Sequence, residues 1–210
     1  MKAMEGRKVL LVAAVSLLVG MAVVGPAAAR PTWVLFGDAK FVKEGMGSDP
    51  WALRLRSDAN PGYGGVAWIP TDTTTFADLT ALSSEFRVVE GDCGGGAPRF
   101  SVGIDTNGDG SRDGSVFVYF GPYPNFTGCG TDWQSTGELI GSTELRFDTS
   151  QVGGTFYDDY AGALALVGSD TVTSIALVVD AGWMFGTQTV LVDDVTVNDN
   201  VLSNPGLGQS

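Results

Sequence analysis

An all-β fold, an antiparallel β-sandwich with one short helix, is what the sequence predicts, and three observations predict it. About ten segments alternate apolar residues with polar or small ones at a period of two, the mark of strands with one face in a core. The 210 residues include 30 glycines, which cluster with Asn, Asp and Pro between those segments, where turns are needed. Only one stretch carries clear helical spacing, so the helical crossovers that a parallel sheet requires are missing. No internal repeat is present.

In chain order, Trp33 to Phe36 and the segment around Phe41 and Val42 make the first strand or strand pair. Trp51, Leu53 and Leu55 share one face of the next strand, with Arg54 and Arg56 on the other. Tyr63 to Ile69 follows and Pro70 stops it; Gly64 and Gly65 inside it signal a bulge or a close backbone approach. Phe76, Leu79 and Leu82 are spaced for a helical turn before the strand Glu85 to Glu90. Phe100, Val102 and Ile104 alternate in one arm of a hairpin, and Val116, Val118 and Phe120 in the other. Asp132 to Ile140 and Glu144 to Phe147 are two further strand candidates. Phe156, Tyr160, Leu164 and Val167 mark the helix, with Asp158 and Asp159 near its start. Thr171 to Asp180 and Gln188 to Val197 close the set as strongly apolar strands.

The first residues read as a removable export signal over 1–29. Lys2, Arg7 and Lys8 precede an apolar run from Val9 to Val24, and Gly25, Pro26 and Ala27 to Ala29 supply a cleavage site. The competing reading, a single-pass anchor, is disfavoured by that Gly-Pro and the small residues. The expected organisation is a sandwich domain over 30–200 and a flexible tail over 201–210, secreted and not held at a membrane after cleavage. The formal net charge of −12 disfavours nucleic acid and anionic membranes as partners, since phosphates need Lys and Arg. The chain contains no histidine, which excludes a Ser-His-Asp triad, a Cys-His pair and histidine-ligated zinc. Its two cysteines, Cys93 and Cys129, lie in Gly-rich loops on either side of the hairpin, and in an exported chain they are expected to form a disulfide.

The hairpin loop carries the sharpest chemical signal. Asp105, Asn107, Asp109, Ser111 and Asp113 fall on alternate positions with Gly108, Gly110 and Gly114 between them. Calcium takes six to eight oxygen ligands, and alternate side chains of a tight loop can converge on one ion. Asp105, Asn107 and Asp109 match positions 1, 3 and 5 of an EF-hand loop and Gly110 matches the glycine at 6; Ser111 and Asp113 stand at 7 and 9. Position 12 departs, because Val116 replaces the bidentate Glu. The alternative is a long hairpin turn, since Asn-Gly and Asp-Gly pairs form turns without metal. Three aspartates within nine residues, with Arg112 as the one cation among them, favour calcium in a structural role.

Three further pieces carry a resemblance. They are Glu44 and Gly45 ahead of Trp51 to Leu55, then Tyr63 to Trp68, then Thr189 to Val197 with Asp193 and Asp194 inside it. In this order they resemble the jelly-roll sandwiches of the galactose-binding-like and carbohydrate-binding-module superfamily. The resemblance implies a jelly-roll β-sandwich and a structural calcium between Glu44 and Asp193 or Asp194. It implies a glycan or polysaccharide as a partner, although such sandwiches host many functions. Exposed aromatic faces that stack on sugar rings are expected from Tyr123, Phe126, Trp133 and Trp183, in loops or at strand ends, while Trp51 and Trp68 read as core. The leading function is a non-catalytic secreted binding or surface module. The alternatives are a glycoside hydrolase or lyase using a pair from Glu85, Glu90, Glu138 and Glu144, and a purely structural extracellular domain.

Overall fold

A computed structural model describes residues 32–58 and 62–205. The expected export signal lies outside the described residues, as does the tail from 206 onward. The strands are β1 (Thr32–Val42), β2 (Ala52–Ser57), β3 (Gly64–Ile69), β4 (Leu82–Glu90), β5 (Arg99–Asp105), β6 (Gly114–Tyr119), β7 (Gln134–Ser135), β8 (Phe147–Asp148), β9 (Thr171–Val179), β10 (Gln188–Val197) and β11 (Asn200–Leu202). Helix α1 spans Tyr160–Val167 and α2 spans Gly182–Phe185. Every strand pairing is antiparallel, in the order β7-β4-β10-β2-β1-β3-β9-β5-β6-β8, with β11 on the end of β10.

One strand joins two half-sheets. β1 pairs with β3 over Thr32–Gly37 and with β2 over Asp38–Val42. The change of partner falls at Gly37, whose φ of +62° and contact with the Tyr63 carbonyl leave no room for a side chain. The sheet thereby curls back on itself, and its two halves bury one continuous core. Leu53, Leu55, Phe86, Val190 and Val192 come from one half; Trp68, Phe100, Val102, Val118, Ile175 and Leu177 come from the other. Phe86 and Phe120 meet between the halves with ring centroids 5.2 Å apart. Burying a side chain of this size is worth about 1.5–3 kcal/mol, so this seam holds the two halves together.

The alternation in the sequence maps onto the strands with few departures. Leu53 and Leu55 are buried while Arg54 and Arg56 reach outward to Asp38. Gly64 and Gly65 stand in an unbroken register and serve a close approach, since a Cβ on Gly65 would enter the Phe36 ring. Trp51 precedes β2 and is half-buried, with the Lys43 ammonium over its ring at 5.5 Å, whereas Trp68 is in the core.

Four expectations are corrected. Of Asp132 to Ile140 and Glu144 to Phe147, only Gln134–Ser135 and Phe147–Asp148 enter the sheet. The Glu138 carboxylate accepts the Leu82 and Ile140 N–H groups, and the Thr136 and Leu139 N–H groups reach the Ser84 and Leu82 carbonyls, so separate side-chain and backbone bonds follow β4 there without a regular ladder. The helix begins at Tyr160 and not at Phe156, because the Asp159 carboxylate caps it by accepting the Gly162 N–H at 2.8 Å. Trp183 lies in the second, four-residue helix α2. In the segment assigned to the tail, β11 pairs with β10.

Candidate functional site

The Asp105 loop joins β5 to β6, and its oxygens bind the loop's own backbone. Asp105 is buried and accepts N–H groups from Asn107, Gly108 and Gly110 at 3.2, 2.7 and 2.7 Å. Asn107 accepts from the Asp109 N–H, and Asp109 from that of Ser111. Asp113 accepts both the N–H and the hydroxyl of Thr106 at 2.8 Å and the Asn107 amide at 3.1 Å. The Gly110 N–H, foremost among these donors, holds the Asp105 carboxyl below the usual carboxylate range. Asp105 is therefore an ionised anchor, in a loop whose side-chain acceptors Asp105, Asn107, Asp109 and Asp113 are all oxygen. Among the described residues, the ligand atoms that lie within 4.8 Å of one another as a set of three belong to Asp92, Cys93 and Cys129, and both of those sulfurs are in a disulfide. The Asp105, Asp109 and Asp113 carboxylates do not converge in that way.

Cys93 and Cys129 form the expected bridge. Asp92 clamps both of its ends: one carboxylate oxygen accepts the Cys93 and Cys129 N–H groups at 2.7 and 2.9 Å, and the other accepts that of Gly128 at 3.1 Å. The bridge indicates an oxidising compartment. No helix among the described residues is long and apolar enough to cross a membrane.

The bridge also fixes one wall of a cleft of about 360 Å³. Gly94 to Pro98 form that wall, Asn125 to Thr127 another, and Tyr119, Phe120, Phe156 and Tyr157 the remainder. Phe126 is the hub. It is only 7% exposed, with its ring 5.7 Å from Tyr119, 6.1 Å from Tyr123 and 6.4 Å from Tyr157, and the Arg146 guanidinium 5.2 Å over it. Its φ of +54° is a left-handed backbone that costs a bulky residue about 1–3 kcal/mol, and packing among three tyrosines holds it there. The outer aromatics are open to solvent: Phe156 is 65% exposed, Tyr157 61% and Trp183 76%. Trp183 and Met184 stand beside Gly95 of the cleft wall, where a Cβ would come within 3.1 and 3.3 Å of them.

Behind the cleft, most polar groups are engaged, the buried Arg99 Nε being left without a hydrogen-bond partner. Arg99 forms a bidentate pair with Asp180 at 2.7 Å for each contact and also donates to the Gly96 carbonyl. Tyr119 donates its hydroxyl to Asp148 at 2.6 Å; burial, reinforced by that carboxylate, raises the phenol well above its ordinary value. Gln188 is completely buried and ties three segments together. Its amide nitrogen donates to the Asp92 and Ala97 carbonyls, and its oxygen accepts the Ala181 N–H.

The expected aromatic residues are thus dispersed in role. Phe126 forms the floor of the cleft, Tyr123 packs edge-on against it, and Trp183 stands at the rim. Trp133 is half-buried ahead of β7 and is not among the lining side chains. Sequence reading missed Phe156 and Tyr157, because the helical spacing enlisted Phe156 for a helix face; two adjacent aromatics ahead of the Asp159 cap were the available signal. No Asp or Glu lines the cleft. Glu138 is bound to backbone, Glu144 to Arg146 and Glu90 to the Thr189 hydroxyl.

Asp193, the last-strand carboxylate, is buried and accepts N–H groups from Met46 and Asp194 at 3.2 and 2.9 Å. Burial raises its pKa above the ordinary value, and the neighbouring Asp194 and Asp49 charges add to that.

No protein-family model and no curated protein sequence matches the chain. Among solved structures, the crystal structure of the agarase AgWH50C matches 86% of this chain at 13% identity with a TM-score of 0.40. An exo-beta-agarase matches 86% of it at 15% identity with a TM-score of 0.38. In both cases this chain spans 24% of the other chain's length, so the likeness concerns the arrangement of strands in part of those proteins and transfers no function.

Proposed function

We propose that this chain is a secreted, non-catalytic binding module whose aromatic cleft takes a saccharide, with calcium in a structural role at the Asp105 loop. The observation that carries the saccharide reading is the solvent-open Tyr157 and Phe156 pair over the Phe126 floor, facing the exposed Asn125 and Thr127. Aromatic faces stack on the C–H faces of sugar rings, and amide and hydroxyl groups beside them meet sugar hydroxyls. Tyr123 and Trp183 extend that surface at its edges; Trp133, half-buried ahead of β7, is not part of it.

The test is affinity electrophoresis of the intact chain through gels containing soluble polysaccharides, comparing wild type with Tyr157→Ala. Retardation of the wild type and its loss in the variant is the expected result. Equal mobility with and without every polysaccharide would refute the reading.

The calcium reading is supported by the donor set. Asp105, Asn107, Asp109, Ser111 and Asp113 offer only hard oxygen ligands, which suit calcium and not the softer transition metals. The ion would draw in carboxylates that do not otherwise converge and neutralise their mutual repulsion. Calcium is therefore expected to raise the melting temperature over that in EDTA and to slow proteolysis between 106 and 113. If neither changes, the loop is a turn and nothing more.

A further inference from the structure

The cleft is built from uncharged groups although the chain is strongly acidic, and that combination bears on which saccharides it admits. None of the side chains lining it is Lys or Arg. The two arginines that approach from behind are committed. Arg99 is held by Asp180 and the Gly96 carbonyl. Arg146 is held by Glu144 and the Tyr119 carbonyl, with its guanidinium plane spent on Phe126. Both side chains are largely sequestered, at 14% and 8% exposure. The cations that could meet a sulfate or carboxylate are thus turned inward, and the groups left at the surface are the Asn125 amide, the Thr127 hydroxyl and aromatic faces.

We infer that the Phe126–Tyr157 cleft selects neutral saccharide chains and rejects uronate-bearing or sulfated ones. This rests on the saccharide reading above and adds the class of sugar. A bound carboxylate or sulfate would be desolvated against rings and amides with no positive partner, which is costly. It would also approach a chain of formal net charge −12, a repulsion that acts over about 8 Å at physiological salt. A neutral chain incurs neither cost. The cleft volume lies near the low end of the roughly 300–1,000 Å³ typical of ligand sites, so it engages a short segment of a longer polymer.

The test pairs neutral with acidic polysaccharides. Glucomannan, xylan and mixed-linkage glucan stand against alginate and a sulfated galactan, in affinity gels with the intact chain at low and at physiological salt. The expected result is binding to at least one neutral polymer and binding about tenfold or more weaker to both acidic ones, the factor associated with a missing charge-assisted hydrogen bond. Thr127→Arg places a cation at the exposed wall without touching the core, and it is expected to create binding to the acidic polymers. Wild-type binding to an acidic polymer as tight as to any neutral one overturns the selectivity while leaving the saccharide reading intact. Acidic binding that Thr127→Arg does not strengthen also overturns it. Binding to no polymer at all overturns the saccharide reading itself and the inference with it.

Discussion

Asp105 and Gln188 show two ways in which a single buried polar side chain holds a loop. Asp105 does it as an anion, and its contribution follows pH. Its folded pKa lies below the ordinary 3.8, so the stabilisation is fully present above that value and is lost as pH falls through the lower folded one. In EDTA, the melting temperature of Asp105→Asn is expected to lie below that of wild type at neutral pH, with the gap closing in acid; a gap independent of pH would refute the anionic role. Asp193 runs in the opposite sense. Burial raises its pKa, so its neutral form favours the fold below 3.8 and that advantage fades as pH rises through the folded value. Gln188 needs no charge. Gln188→Leu removes the amide from the Asp92 and Ala97 carbonyls and the Ala181 N–H, of which the Ala97 carbonyl keeps the Gly94 N–H, and is expected to cost about 2–4 kcal/mol in denaturant unfolding. A loss below about 0.5 kcal/mol would mean that water replaces it. Nothing around Gln188 in the sequence marks it, since its three partners come from residues 92, 97 and 181.

Among the elements, β1 has the largest consequence, because its bend at Gly37 turns one ladder into two facing halves. Gly37→Ala meets both a left-handed φ and a Cβ placed 2.3 Å from the Tyr63 carbonyl oxygen. Gly108→Ala meets a left-handed φ of +78° in open space. The second change is expected to cost about 1 kcal/mol and the first well over 2 kcal/mol, with some variants failing to fold; equal losses by thermal unfolding would refute the assigned role of the bend. The long strands were legible because alternation over six or more residues reports a buried face. The short strands β7 and β8 fall on the two further strand candidates but cover only part of them, since two ladder residues leave no period from which to read their extent. Helix α1 was placed a turn too early for a related reason. Phe156 has the right spacing, but the Asp159 cap, which decides where the first helical N–H groups find an acceptor, lies downstream of it.

At the scale of the whole molecule, a single cross-link spanning 36 positions ties the β4 end to the loop after β6 and secures the cleft as it does so. Reduction releases a closed loop of that length and is expected to lower stability by roughly 3–4 kcal/mol. Dithiothreitol should therefore depress the melting temperature and weaken polysaccharide binding together, and a drop in neither would show that the bridge is passive. Composition and periodicity by themselves determined the antiparallel all-β class, the central hairpin, the Cys93 and Cys129 pairing and the oxygen-rich loop, because each rests on residues near one another in the chain or on chemistry with few options. Only the tertiary structure decided which aromatics face solvent and which carboxylates stand where. Phe126 and Tyr157 are 31 positions apart in the sequence and come into contact because β8 pairs beside β6 and the Phe147–Asp158 bridge brings the chain back along that edge. The pairing of β5 with β9 sets Arg99 beside Asp180, and with Arg146 taken by its sequence neighbour Glu144 the cleft lining is left uncharged, which residues 81 positions apart do not disclose until the strands pair.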